Sequence, residues 1–145
     1  MSNEGAMSTS DIIKYFKTKK TKKTKFRGVF SIADVPNISY SNDYHYIFNL
    51  DNGAGTHWIA LLFNKKIYYF DSYGYPPPAI LESLNIPMIS NTNALQSYGS
   101  SICGQYCCIW CRESNVLKKY MQFPDQCSSK LNDEYVINKF YFKND

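Results

Sequence analysis

The chain has 145 residues, a net charge of +4 and 44% hydrophobic residues. That length holds one domain with a substantial core and is too short for two of ordinary size, and the tyrosine- and phenylalanine-rich composition excludes wholesale disorder. No apolar run reaches the roughly 20 residues of a membrane span, and residues 1–10 lack the apolar core of a signal peptide, so a soluble protein not exported by that route is expected.

In chain order, residues 1–6 read as a disordered tail, with Met7 an alternative start. Ser8-Thr9-Ser10-Asp11 has the Ser-x-x-Asp form of a helix entrance, and Ile12, Ile13, Tyr15 and Phe16 supply an amphipathic turn or two. Six lysines then fall within residues 17–25, more charge than the whole molecule carries net. This basic pole reads as a solvated loop or, through Lys19, Lys20, Lys22 and Lys23, as a phosphate-contacting surface for DNA, RNA or an acidic tail. Residues 1–25 are therefore set apart as a flexible or partly helical basic segment, and residues 26–145 as a single domain.

Strands are expected near 28–32 and 44–50. The second contains His45, which reads as a packed or surface residue. Asp51-Asn52-Gly53-Ala54-Gly55 is a turn, 56–63 a buried strand, and 67–71 a second strand that ends before Gly74 and Pro76-Pro77-Pro78. The polar break Asn64-Lys65-Lys66 makes these two an antiparallel hairpin. With a three-residue loop Phe63 opposes Ile67, Ile59 opposes Asp71 and His57 opposes Tyr73, so His57 and Asp71 are diagonal neighbours on one face. A two-residue loop would put them on opposite faces.

Residues 79–84 read as a short helix, 88–90 as a strand, and 94–96 as another short strand. A polar loop then runs into Cys103-Gly104-Gln105-Tyr106-Cys107-Cys108-Ile109-Trp110-Cys111, a buried helix with Ser100 or Ser101 as its cap. Cys103 falls in the first turn, where the positive end of the helix and its unpaired amides favour a thiolate nucleophile. Four cysteines crowded into nine positions suit a reduced compartment better than a disulfide framework. On a helix rising ~1.5 Å per residue, Cys103 and Cys111 lie roughly 12 Å apart, too far to share a zinc ion with bonds of ~2.3 Å, and no metal is expected. Cys107, Cys108, Cys111 and Trp110 read as helix core. A short helix at 116–121 and a closing helix at 132–142 complete the chain.

His57, Asp71, Gln96 and Cys103 are the residue types that thiol-based acyl transfer requires. A cysteine attacks a carbonyl, a histidine holds its proton and later gives it to the leaving amine, and a carboxylate fixes the imidazole tautomer. The Gln96 amide, beside the Cys103 backbone N–H, donates to the oxyanion.

The blocks Gly55-Thr56-His57-Trp58-Ile59-Ala60, Tyr69-Phe70-Asp71-Ser72-Tyr73-Gly74, and Gln96 followed by Ser101-Ile102-Cys103-Gly104-Gln105-Tyr106-Cys107 resemble the signature blocks of adenovirus-type maturation proteases. These adenain-like, clan CE enzymes share a superfamily with SUMO-deconjugating proteases, and relatives occur in virophages, Polinton-like elements and large DNA viruses. The resemblance covers residues 26–112. It implies an α+β fold with a central mixed sheet and a buried helix that carries the nucleophilic Cys103. It also implies a cysteine endopeptidase that cleaves capsid or other virion precursor proteins after small, Gly-type residues during assembly, within the virion and the infected cell's cytoplasmic virus factory or nucleus.

Trp58, Gly104 and Tyr73 are the candidates to line the substrate groove. No cofactor is required, and DNA or a peptide is a candidate activator. The adenoviral enzyme links its peptide through a cysteine upstream of the nucleophile, and no cysteine precedes Cys103 here. The expected partners are viral precursor proteins and DNA, with no membrane, and a monomeric enzyme is expected. Removal of ubiquitin-like modifiers, or a non-catalytic polyanion-binding module on the same fold, are the alternatives.

Overall fold

A five-stranded mixed sheet organises the computed structural model, which describes residues 5–50, 57–97, 99–113 and 129–142. The strands are β1 (Phe26–Ser31), β2 (Tyr44–Asn49), β3 (Trp58–Asn64), β4 (Lys66–Phe70) and β5 (Met88–Ser90), and they lie side by side in that order. The outer pairs β1–β2 and β4–β5 are parallel, and the inner pairs β2–β3 and β3–β4 are antiparallel. The β3–β4 hairpin turns on Lys65, in left-handed backbone at φ 59°, with Asn64 opposite Lys66 and Phe63 opposite Ile67. That is the register in which His57 and Asp71 become neighbours at the open end of the hairpin.

Side chains alternate across the sheet. Ile47, Trp58, Ala60, Leu62 and Phe70 join one core with α2 (Cys103–Glu113), while Tyr46, Phe48, Ile59, Leu61, Ile67 and Tyr69 join a second. The second core is closed by Val35 and Leu81, which come from the 3-10 helices Ile32–Asn37 and Ala79–Leu84. A sheet covered on both faces explains why its strands read as nearly continuous apolar runs. Similarly, α2 is buried from Cys103 through Cys111 because it lies between the sheet and a layer formed by α1 (Thr9–Tyr15), α3 (Ser129–Ile137) and the π-helical turn Asn138–Phe142. A helix covered all round has little need of a polar stripe.

Trp110 is central to this packing: its indole stacks on Phe70 at 5.3 Å and meets His45 edge-on at 5.9 Å. Trp110→Ala is expected to lower the unfolding free energy by about 3–5 kcal/mol, through lost burial and the cavity left behind. Chemical denaturation measures this, and a loss below about 1 kcal/mol would remove Trp110 from the core.

The N-terminal region is part of the packed structure. Ser8 and Asp11 form a reciprocal capping box at the start of α1, and Ile12 and Tyr15 are buried. Tyr15 stacks on Phe140 at 4.5 Å, and Lys20 Nζ donates to the Phe140 carbonyl at 3.0 Å. Gly5, read from sequence as tail, accepts a 2.9 Å hydrogen bond from Gln105 Nε2.

Two further expectations change. Residues 94–96 are not a strand: the Leu95 and Gln96 amides both donate to the Ser72 carbonyl, at 2.7 and 3.1 Å. The closing helix starts earlier than expected, at Ser129, and passes into the π turn after Ile137. The turn at 51–55, the helix at 116–121 and Cys127 lie outside the described residues. No helix among the described residues is long and apolar enough to cross a membrane.

Candidate active site

Three elements bring the candidate residues together at one end of the sheet. β3 begins directly after His57, β4 ends directly before Asp71, and α2 opens on Cys103. His57 Nε2 lies 3.0 Å from Asp71 Oδ1. A carboxylate can only accept, so Nε2 carries the proton toward Asp71 and Nδ1 is the other ring nitrogen, while the Cys103 side chain is near enough to raise the imidazole pKa. The Trp58 backbone N–H donates to Cys103 Sγ at 3.4 Å, tying the sulfur to the first residue of β3.

Asp71 is held from several sides. Its Oδ1 also accepts the Tyr73 N–H at 2.8 Å, while the Asn91 amide brackets its backbone, accepting from the Asp71 N–H at 3.0 Å and donating to the Asp71 carbonyl at 2.6 Å. Gly74 closes the turn at φ 73°, and a Cβ there would come within 2.7 Å of the Asn93 backbone, so only glycine fits.

Burial alone would lower the His57 pKa. The hydrogen bonds to Asp71 and Cys103, with the charges those groups carry, outweigh it and push the imidazole up to about 9. His57 thus tends to hold a proton at neutral pH.

Gln96 reaches the site in a specific orientation. Its Oε1 accepts from Ser72 Oγ at 2.5 Å, while its Nε2 donates toward Ser100 Oγ at 2.7 Å, Ser100 O at 3.1 Å and the Tyr73 hydroxyl at 3.2 Å. Ser100, expected as a helix cap, therefore gives its hydroxyl to Gln96. Tyr73 is a wall of the site: its ring lies 5.3 Å from that of His57, and its hydroxyl donates to the Ser100 carbonyl at 2.8 Å. Burial first, and then the charge of Cys103, raise the Tyr73 phenol above its ordinary pKa, so it stays a neutral donor.

The other candidates divide. Trp58 is buried with its indole N–H on the Met7 carbonyl at 3.1 Å, and a Cβ on Gly104 would meet Met7 and Trp58 at 3.1–3.2 Å. Met7, Trp58 and Gly104 thus form one tight contact beside the nucleophile. Lys19, Lys22 and Lys23 are exposed on and beside the 3-10 turn Lys19–Thr21, whereas half-buried Lys20 is engaged by Phe140. Cys107, Cys108 and Cys111 are buried thiols whose pKa values burial raises well above the ordinary range, which leaves them unreactive. Cys108 and Cys111 do have C-x-x-C spacing, but no group of three metal-type ligands exists among the described residues.

Sequence reasoning missed Met7, Ser72 and Asn91. For Met7 a signal was present: it directly precedes the Ser8 cap, where an apolar residue commonly packs against one in the first turn. Ser72 and Asn91 act through contacts 24 and 20 residues away in sequence, and nothing local marks them.

No family model matches the sequence, and no curated protein matches it. Among solved structures, the crystal structure of the ASFV pS273R protease superposes with a TM-score of 0.61 at 15% identity, covering 99% of this chain and 70% of that one. The chain therefore shares the α+β fold of that protease, with a mixed sheet and a buried helix opening on Cys103.

Proposed function

We propose that this chain is a viral cysteine endopeptidase that trims capsid or other virion precursor proteins after small, Gly-type residues during assembly. The observation that carries the reading is the gathering at one point of the His57 imidazole, 3.0 Å from the buried Asp71 carboxylate, and the Cys103 sulfur, bonded at 3.4 Å to the N–H of Trp58, the residue after His57. The likeness in fold to a protease from a virus supports it.

Each group has a step. With the proton already on His57 Nδ1 at neutral pH, the Cys103 sulfur attacks the scissile carbonyl carbon as the thiolate of a thiolate–imidazolium pair. The oxyanion that forms accepts from the Cys103 backbone N–H and from Gln96 Nε2, which exchanges its contact with Ser100 for the new charge. The tetrahedral intermediate collapses as His57 gives its proton to the leaving amine, leaving a thioester that water hydrolyses with His57 as base. Asp71 keeps Nε2 protonated throughout, so that Nδ1 remains the working nitrogen.

The test is to incubate the purified protein with co-expressed capsid precursors and sequence the new termini by mass spectrometry, with Cys103→Ala as the control. New termini that follow glycine or alanine, and that vanish in the variant, are expected. Termini after bulky residues, or rapid labelling by ubiquitin or SUMO bearing a C-terminal electrophile, would overturn the assignment, the latter in favour of modifier removal.

A further inference from the structure

We infer that Ser72 is a positioning residue for the oxyanion step: its hydroxyl sets which end of the Gln96 amide faces the reacting carbonyl. The inference rests on the hydrolytic reading above. A side-chain amide has two ends of nearly the same shape and opposite hydrogen-bonding sense, and only the NH₂ end can stabilise an oxyanion. Packing alone distinguishes those ends poorly, so donors and acceptors must do so.

Both ends of Gln96 are specified. Ser72 Oγ donates to Oε1 at 2.5 Å from a side chain that is 0% exposed. The Ser72 carbonyl also accepts the Leu95 and Gln96 amides, which fixes the backbone from which the glutamine projects. At the far end the Ser100 carbonyl, an acceptor only, lies 3.1 Å from Nε2. The Tyr73 hydroxyl gives its proton to that same carbonyl, so its oxygen is left to accept from Nε2 at 3.2 Å. Turned end for end, Gln96 would set its oxygen against the Ser100 carbonyl, and the Ser72 hydroxyl could meet the NH₂ end only by turning round to accept. Without the Ser72 hydroxyl, Oε1 of a glutamine only 3% exposed loses its donor, and the amide is free to rotate out of register.

The test compares wild type, Ser72→Ala, Ser72→Cys, Gln96→Ala and the double variant Ser72→Ala/Gln96→Ala in hydrolysis of a fluorogenic peptide amide ending in Gly-Gly. Ser72→Ala is expected to lower kcat by about 10- to 100-fold with KM little changed, less than the roughly 10²–10³-fold cost of removing an oxyanion donor outright, because the donor is loosened and not deleted. Ser72→Cys, similar in shape but a weaker donor, should fall between it and wild type. The double variant should be no slower than Gln96→Ala alone, because both changes remove the same interaction. Affinity for a Gly-Gly peptide aldehyde, whose adduct with the sulfur carries the oxyanion, should drop by the same factor as kcat. Alkylation of Cys103 by iodoacetamide, which forms no oxyanion, should keep its wild-type rate.

A double variant slower than Gln96→Ala by the full Ser72→Ala factor overturns the inference, as does equal loss of alkylation, which would mark a structural role. Full kcat in Ser72→Ala alongside a crippled Gln96→Ala overturns it while leaving the hydrolytic reading intact. Full activity in Gln96→Ala, or no turnover in wild type, overturns the underlying reading and this inference with it.

Discussion

Cys103→Ala is expected to lower kcat for peptide cleavage by about 10⁴-fold or more, because without the sulfur no thioester can form and only the binding and oxyanion contributions remain. The change should leave the fold in place. Cys103 is 5% exposed at the first position of α2, and alanine fits the same space, at the cost of the Trp58 N–H losing the sulfur as its acceptor. The measurements are single-turnover cleavage and a thermal melt. The informative comparison is with Cys107→Ala and Cys111→Ala, whose thiols burial holds in the neutral form and which should keep their activity. Cleavage by Cys103→Ala at the wild-type rate would transfer the nucleophile's role elsewhere and dissolve the proposed function.

The second large effect concerns Asp71→Asn. The carboxylate both fixes the His57 tautomer and supplies much of what raises the imidazole to about 9. An amide in its place can present an N–H to Nε2 and favour the wrong tautomer, so kcat/KM should fall by roughly 10²–10⁴-fold. The pH profile should change as well. In wild type the alkaline limb of kcat/KM is expected near pH 9, where the imidazolium that protonates the leaving amine is lost. In Asp71→Asn that limb should move toward the ordinary histidine value of about 6.5.

The same group makes stability depend on pH. A histidine whose pKa is raised by folding stabilises the folded state fully below its unfolded pKa, about 6.5, and this contribution is lost as pH rises through about 9. Wild type should therefore lose stability across that window, and Asp71→Asn should lose less. An unchanged alkaline limb in the variant would mean that Asp71 does not govern the protonation of His57.

The hairpin shows how much of this site was legible in the sequence. Apolar runs on either side of Asn64-Lys65-Lys66 announced the hairpin but left its loop length open; the structure takes the register that pairs Phe63 with Ile67, which makes His57 and Asp71 neighbours. The apolar run after Cys103 likewise announced a helix buried on every side. What stayed hidden depends on contacts distant in sequence. Ala94, Leu95 and Gln96 read as a short strand, yet the Leu95 and Gln96 amides converge on one carbonyl of the loop after β4. Gly5 and Ala6 read as tail because small residues carry no packing signal, although Gln105 reaches Gly5 across 100 residues. Ser100 had the chemistry of a helix cap, but Gln96 competes for its hydroxyl.

Asp71, Ser72 and Tyr73 are consecutive, and each engages a different part of the machinery: the imidazole, the glutamine amide and the segment bearing Ser100. Proton handling and carbonyl activation therefore hang from one short stretch of backbone and cannot easily be tuned apart. A lineage acquiring new cleavage preferences by reshaping this stretch would disturb its own chemistry. Met7 enters the same neighbourhood from the opposite end of the polypeptide and bonds to none of these three residues among the described contacts, so it supports the nucleophile's side of the site through Trp58 instead.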